Sequence, residues 1–427
     1  MLEDQELVDQ GGPPQALSGL RVLEVADMVA GPFCGKLLAS LGAEVIKVEA
    51  PGIGDPSRRR GPFPGDVPHP ERSGTYLYLN TGKQGITLDL EDPQGRVLLE
   101  ELASRVDVVV HDRQPARAQE QGLDAARLGG ANPRLIVAAV TPFGSYGPYA
   151  GYKAYDINVF HAGGEGYLLP NGLALETFPD RAPLVAGSHM GSYQGGLTAA
   201  LGIVAAVYAR ENPPYQGPPS MSPLSKGGLQ GGQAIDCSLQ EAQLSIGYLP
   251  IQRSEAEGLV EDRFSRFFRV GGVLPAQDGY VELLTLERRQ WEGLYELLGQ
   301  PDWAAPEKFE DPARFGPEIN RHLREWAGGH TKAWLYDEGQ AHGVPIAPYF
   351  TPSEVFSSRQ QRERGFFVPV DHPEAGCFKY PGLPFRFGAT PARLDPSPLL
   401  GEHNQRVYQE LGYSPQDIVA MARAGVV

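Results

Sequence analysis

The chain has 427 residues, with 52 acidic against 37 basic side chains and a formal charge of −15. That balance excludes non-specific nucleic-acid binding and adhesion to anionic membranes, so a polyanionic ligand requires a local basic pocket. Three scattered cysteines and nine dispersed histidines match neither a disulfide framework nor a metal-ligand spacing, and each cysteine reads as structurally buried.

Residues 1–17 read as a polar tail. Its opening run, M-L-E-D-Q-E-L-V-D-Q, has no basic region followed by an apolar one, which marks no secretion signal and predicts a cytoplasmic protein. From Leu20 the pattern changes. Leu20–Val25 reads as a buried strand, Phe33–Leu41 as a helix and Ala43–Val48 as a second strand, a βαβ unit that opens a parallel sheet. Strands at Ile86–Leu88, Val106–Val110 and Leu135–Val140 extend it, with a helix over Pro93–Ser104 capped by Asp92 and started by Pro93. The fold class is therefore α/β, with a Rossmann-like large domain beginning at 18–210. The first turn, Met28-Val29-Ala30-Gly31-Pro32, lacks G-x-G-x-x-G, so the chain carries no dinucleotide fingerprint and NAD or FAD is discounted.

The stretch Leu184–Arg210 contains Gly187, Gly191, Gly195, Gly196 and Gly202 around an apolar run. Such glycines predict a loop, carrying Ser192, that feeds a closely packed core helix over Leu197–Ala209, too short to cross a bilayer. Residues 211–232 are rich in proline and glycine and read as a linker. A smaller α+β domain follows over 233–335, including a strand at Asp278–Leu284.

Several motifs occur in order: Leu17-Ser18-Gly19-Leu20-Arg21-Val22-Leu23-Glu24, Ala30-Gly31-Pro32, Leu41-Gly42-Ala43-Glu44-Val45-Ile46-Lys47-Val48-Glu49, Gly54-Asp55-Pro56, Gly82-Lys83, Asn132-Pro133-Arg134 and the closing Leu399-Leu400-Gly401-Glu402-His403-Asn404. Together with Ser192-Tyr-Gln-Gly-Gly-Leu-Thr-Ala-Ala-Leu-Gly202-Ile-Val-Ala-Ala, this series resembles the family III CoA-transferases, also called the CaiB/BaiF family, over nearly the whole chain. The resemblance implies transfer of CoA from an acyl-CoA to a free carboxylic acid, with CoA or acyl-CoA as substrate and no permanently bound cofactor. It also implies that residues 336–427 return to the large domain and that two chains interlock as linked rings.

The same resemblance places Ser192 where the family carries its nucleophilic aspartate. A carboxylate suits the reaction because its acyl adduct is a mixed anhydride that thiolate can reopen, whereas a serine alkoxide gives a stable ester. No base is recognisable beside Ser192 in the local sequence. Lys153-Ala154-Tyr155-Asp156 matches the segment in which racemases of the family place a catalytic histidine before aspartate; here that histidine is Tyr155. Asp156 is the candidate substitute nucleophile, with Glu165 and Glu241 weaker and a structural hydrogen-bonding role for Asp156 the competing reading. Arg58, within Arg58-Arg59-Arg60, together with Lys83 and Lys153, is a candidate for the CoA phosphates. Opposing CoA binding, His111-Asp112-Arg113-Gln114-Pro115-Ala116 departs from the family's pattern, and Glu120 stands where an arginine is common. Arg269–Pro275 matches the place of a glycine-rich loop that shields the anhydride from water. The expectation is a pseudo-active subunit partnered by a related catalytic chain; the alternatives are a self-sufficient homodimeric transferase that uses another carboxylate such as Asp156, and a non-enzymatic acyl-CoA-binding or assembly protein.

Overall fold

The computed structural model describes residues 14–170, 178–212, 231–264 and 269–427. Residues 1–13 of the expected tail and 213–230 of the expected linker lie outside that range. The chain divides into a large unit, Met1–Gly163, Ala186–Ile246 and Glu363–Val427, and a small unit, Gly164–Val185 and Gly247–Arg362.

In the large unit, β1 (Arg21–Val25), β2 (Glu44–Glu49), β3 (Gln84–Thr87), β4 (Val108–His111), β5 (Ile136–Thr141) and β6 (Gln233–Ser238) form one parallel sheet in the order β3-β2-β1-β4-β5-β6. Every neighbouring pair is parallel. A sheet of this kind buries both faces, and alternate residues of one strand enter different cores. Leu23 and Val25 join Ile46, Val48 and Leu99, whereas Val22 joins Val45, Val108, Val110 and Ile203.

Among the described residues, the first eight helices of this unit are α1 (Ala30–Ser40), α2 (Gly74–Leu79), α3 (Pro93–Ala103), α4 (Pro115–Gln121), α5 (Ala125–Ala131), α6 (Asp156–Ala162), α7 (Met190–Glu211) and α8 (Leu239–Ile246). The Asp92 side chain accepts from the Gln94 N–H and Pro93 starts α3, as its sequence predicts. β6 corrects one expectation. Gln233–Ser238 does not open the smaller domain but pairs along its whole length with β5, since Ile235 and Cys237 supply apolar side chains to the large core.

The small unit holds an antiparallel sheet of β7 (Gly272–Ala276), β8 (Gly279–Leu283) and β9 (Ile346–Pro348). Trp291, Leu294, Ile319, Leu323 and Leu335 pack with this sheet into its own core. Two further expectations change here. The Arg269–Pro275 stretch is largely strand β7, hydrogen-bonded to β8, and not a free shielding loop. Residues up to Arg362, not 335, belong to this unit.

The chain then re-enters the large unit through the hairpin β10 (Phe367–His372) and β11 (Gly376–Pro381). Helices Asn404–Glu410 and Pro415–Arg423 fasten it, with Asn404 Oδ1 accepting from the Thr87 N–H at 2.8 Å and the Tyr408 hydroxyl donating to the Thr87 carbonyl at 2.7 Å. Cys34 and Cys237 are buried, whereas Cys377 is exposed on β11.

Candidate functional site

The helix that carries Ser192 begins seven residues earlier than its sequence suggests, because its glycines serve contact between elements. A Cβ on Gly196 would lie 2.4 Å from the Ala30 carbonyl oxygen, and one on Gly195 would lie 2.0 Å from Leu239 Cδ2. α7 therefore packs against α1 and α8 at distances only glycine allows. At 22 residues it is long and apolar enough to cross a membrane by length and composition, which corrects the shorter estimate. Its Ala199, Ile203 and Ala206 are nevertheless buried in the core of the large unit.

Two consecutive left-handed residues, Ser188 (φ 66°) and His189 (φ 57°), precede α7, and His189 provides no side-chain cap. Ser192 is the third helical residue, so its N–H is one of the four that a helix start leaves without an internal partner. Asp156, the first residue of α6, supplies that partner. Its Oδ1 accepts from the Ser192 N–H at 2.8 Å and from the Ser192 hydroxyl at 2.9 Å. Ser192 is only 9% exposed, so its hydroxyl has its partner in the protein. A carboxylate there also meets the positive end of the longest helix in the described chain.

The structure thus unites the two residues that the sequence holds 36 positions apart. The Ser192 hydroxyl is bound to the first of the acids considered as its substitute, Asp156. No histidine is hydrogen-bonded to Ser192 among the described residues. Lys153 and Tyr155 are exposed, and among the described residues neither side chain forms a hydrogen bond or ion pair with Ser192 or Asp156. Glu241 lies exposed in the first turn of α8, and Glu165 belongs to the small unit.

Arg58 and Lys83 are placed differently from the phosphate role foreseen for them. Arg58 is 1% exposed, donates to both oxygens of Glu49 at 2.7 and 2.8 Å, pairs with Glu71 and stacks 3.6 Å above the Tyr76 ring. Burial alone would lower its pKa, but the hydrogen bonds from its guanidinium to Glu49 hold it above the ordinary value. Lys83 is buried against Glu24 at 2.7 Å and the Pro32 carbonyl at 2.8 Å; burial brings it down to about 8 although Glu24 opposes the shift. A phosphate reaching either cation would have to displace a buried carboxylate, so these groups hold the scaffold together. The segment after β1 and β2 is locked in the same way. Lys47 bridges Glu24 at 3.2 Å and Asp55 at 2.8 Å, and these acids overcome the effect of burial and raise its pKa.

A charged group, of which the sequence reading passed over Asp27, lies at the C-terminal ends of β1 and β4, where the strand order reverses. In doubly wound sheets that crevice is the usual ligand position. Asp27 follows β1, and Asp112 and Arg113 follow β4. The Asp27 N–H donates to Asp112 at 2.7 Å, and Arg113 pairs with Asp27 at 2.9 Å and with Asp112. Burial, then the Asp112 charge, pushes Asp27 up to about 6 against the pull of Arg113. Nearby, Arg117 of α4 pairs with both Glu91 and Glu120. Glu120 is thereby neutralised locally, which softens the repulsion its sequence position implies. A charged residue directly after an apolar strand at the reversal was the signal available for Asp27.

Comparison with known proteins places the chain in a wider group. The profile described as CoA-transferase family III matches residues 17–404. A formyl-CoA:oxalate CoA-transferase of Bradyrhizobium sp. (strain ORS 278) is 30% identical, covering 97% of each chain. A succinyl-CoA–D-citramalate CoA-transferase of Chloroflexus aurantiacus is also 30% identical, covering 96% of this chain and 98% of its own. Among solved structures, a CaiB/BaiF family protein from Brucella suis is 28% identical, with a TM-score of 0.77 over 93% of this chain and 100% of that one.

Proposed function

Starting from the premise that the chain belongs to CoA-transferase family III, we propose that it is the subunit of such a transferase that lacks the nucleophile and works beside a related, catalytically complete chain. The observation that carries this reading is the Ser192–Asp156 pair. In the reaction, a carboxylate oxygen attacks the thioester carbonyl, the C–S bond breaks and CoA thiolate departs, leaving a mixed anhydride. The thiolate then attacks the enzyme's own carbonyl, releases the first acid and forms an enzyme thioester, which the second acid reopens by the same steps in reverse. Ser192 cannot carry that sequence. Its ester would resist the returning acid, and a carboxylate is too weak a base to raise an alkoxide without an intervening imidazole.

Both relatives are named for an acyl-CoA and a carboxylic acid, and the same substrate classes are proposed for the complex containing this chain. CoA or acyl-CoA enters as substrate; no resident cofactor is proposed. The test is native mass spectrometry of the chain co-produced with a related transferase chain, followed by a transfer assay of each preparation. A heteromer that is active while this chain alone is inert supports the reading. A homomer with ordinary transferase activity removes it.

One observation favours a second reading, a self-sufficient enzyme in which Asp156 is the nucleophile. Its carboxylate sits 2.9 Å from the Ser192 oxygen, so an acid of this chain lies beside Ser192, which supports this reading. Against it, Oδ1 is held by two donors and caps α7, which stabilises the carboxylate and lowers its nucleophilicity. Hydroxylamine trapping after mixing with acyl-CoA decides: a hydroxamate at Asp156 establishes this reading, and an unmodified Asp156 discards it.

A further inference from the structure

We propose that the large unit carries a second ligand site, for a small carboxylic acid with an aromatic body, in the cavity between the entry to β10 and the run from Gly382 to Leu394. The cavity measures about 260 Å³. Its walls include Phe366, Leu383, Phe385 and Phe387, and its charged lining residues are Arg364 and Arg386. No carboxylate lines it, in a chain whose formal charge is −15.

Each part of that lining indicates the same class of ligand. Arg364 and Arg386 are exposed, and neither forms an ion pair with a carboxylate among the described residues, unlike the buried Arg58 and the surface Arg117. Arg386 folds back over Gly365: a Cβ there would lie 3.4 Å from its Nη2, so the guanidinium rests beside the cavity wall. A guanidinium fork binds a carboxylate with two parallel hydrogen bonds, and two such forks select an anion over a neutral polar group. Phe385 and Phe387 meet edge to face at 5.4 Å and remain 43% exposed, which leaves ring surface for an apolar ligand. An inorganic anion would use the arginines and waste the rings. The volume sits just below the usual small-molecule range of about 300–1,000 Å³, so it suits one ring with a short acid arm and not an intact acyl-CoA. Every lining residue belongs to the large unit, and none is part of the Ser192–Asp156 pair. The proposal therefore stands whether or not this chain transfers CoA.

The probe is 3-phenylpropionate, titrated into the full chain by calorimetry, with 3-phenylpropionamide and inorganic phosphate as comparison ligands. The expected result is saturable binding that weakens at least about tenfold for the amide and at least about tenfold in the Arg364→Gln/Arg386→Gln double variant, a floor set by a single charge-assisted hydrogen bond among those the two forks offer. Phe387→Ala should weaken the acid and leave any phosphate binding unchanged. Because both arginines are exposed and unpaired, the double variant should retain the parent's circular dichroism and unfolding midpoint, which separates lost binding from lost folding. Absence of saturable binding overturns the proposal, as does acid binding undiminished in the double variant or phosphate binding as tight as the acid, which would mark a plain anion site. A change of oligomeric state in the double variant, read by light scattering, would show that a second copy covers the cavity and would equally overturn it.

Discussion

Replacing Asp156 by alanine tests the contact on which the reading of Ser192 depends. The substitution removes two hydrogen bonds at once, those from the Ser192 N–H at 2.8 Å and from its hydroxyl at 2.9 Å. Loss of a helix cap costs about 1 kcal/mol. The Ser192 hydroxyl, on a residue 9% exposed, is then left without its protein partner, which costs about 1–3 kcal/mol more. The total is about 2–4 kcal/mol, or a fall of about 3–7 °C in the melting transition of the large unit. Asp156→Asn keeps an acceptor at Oδ1 and should lose about 1 kcal/mol, mainly the charge facing the helix start. Ser192→Ala should also lose about 1 kcal/mol, and adding it to Asp156→Ala should cost nothing further, since the orphaned hydroxyl disappears with it. Urea unfolding followed by circular dichroism reads all four proteins, and the cycle should show a coupling of about 1 kcal/mol. If Asp156→Ala unfolds within about 0.5 kcal/mol of the parent, the carboxylate is not committed to capping α7 and the structural reading of the pair fails.

Other expectations follow from the same geometry. Ser192→Asp would bring a second carboxylate against Asp156; two acids at that range share a proton, so the variant should unfold at lower urea than the parent at pH 7 and nearer to it at pH 4. Gly196→Ala should destabilise by about 1–3 kcal/mol, because the added Cβ meets a backbone carbonyl at 2.4 Å, whereas Gly195→Ala should cost less, since the Leu239 side chain can turn away. Equal losses would contradict the packing described. Asp27 has a folded-state pKa of about 6 against an ordinary 3.8, so the folded protein holds a proton that the unfolded chain releases between these values. Stability from this group is present below about pH 4 and lost as pH rises through about 6. Asp27→Asn should therefore raise the urea midpoint at pH 7 while leaving it nearly unchanged at pH 4; a rise of equal size at both would refute the assignment.

Much of the large unit was legible because its strands are short apolar runs bounded by polar turns, and because Asp92-Pro93 marks a helix start without ambiguity. The register of Gln233–Ser238 was not, since its pairing with Ile136–Thr141 spans about a hundred residues and depends on tertiary contact. The glycines of α7 misled for a definite reason: local propensity reads Gly191, Gly195 and Gly196 as loop, whereas the fold uses their missing side chains to bring helices together. In the same way, Arg58 and Lys83 read as free cations because the carboxylates that oppose them, Glu49 and Glu24, are distant in sequence or hidden within strand patterns. Ser192 itself was legible in the sequence, but the approach of Asp156 to it was not, because nothing in the spacing of α6 and α7 fixes how their first turns meet.

The central claim is that this chain lacks a group able to accept the acyl carbon. The most direct measurement is exchange of an isotope-labelled carboxylic acid into its own acyl-CoA, catalysed by the chain purified alone, for acids such as oxalate and succinate. The account predicts exchange no faster than the protein-free control. Saturable exchange that Asp156→Asn abolishes would contradict it and make this polypeptide a complete enzyme.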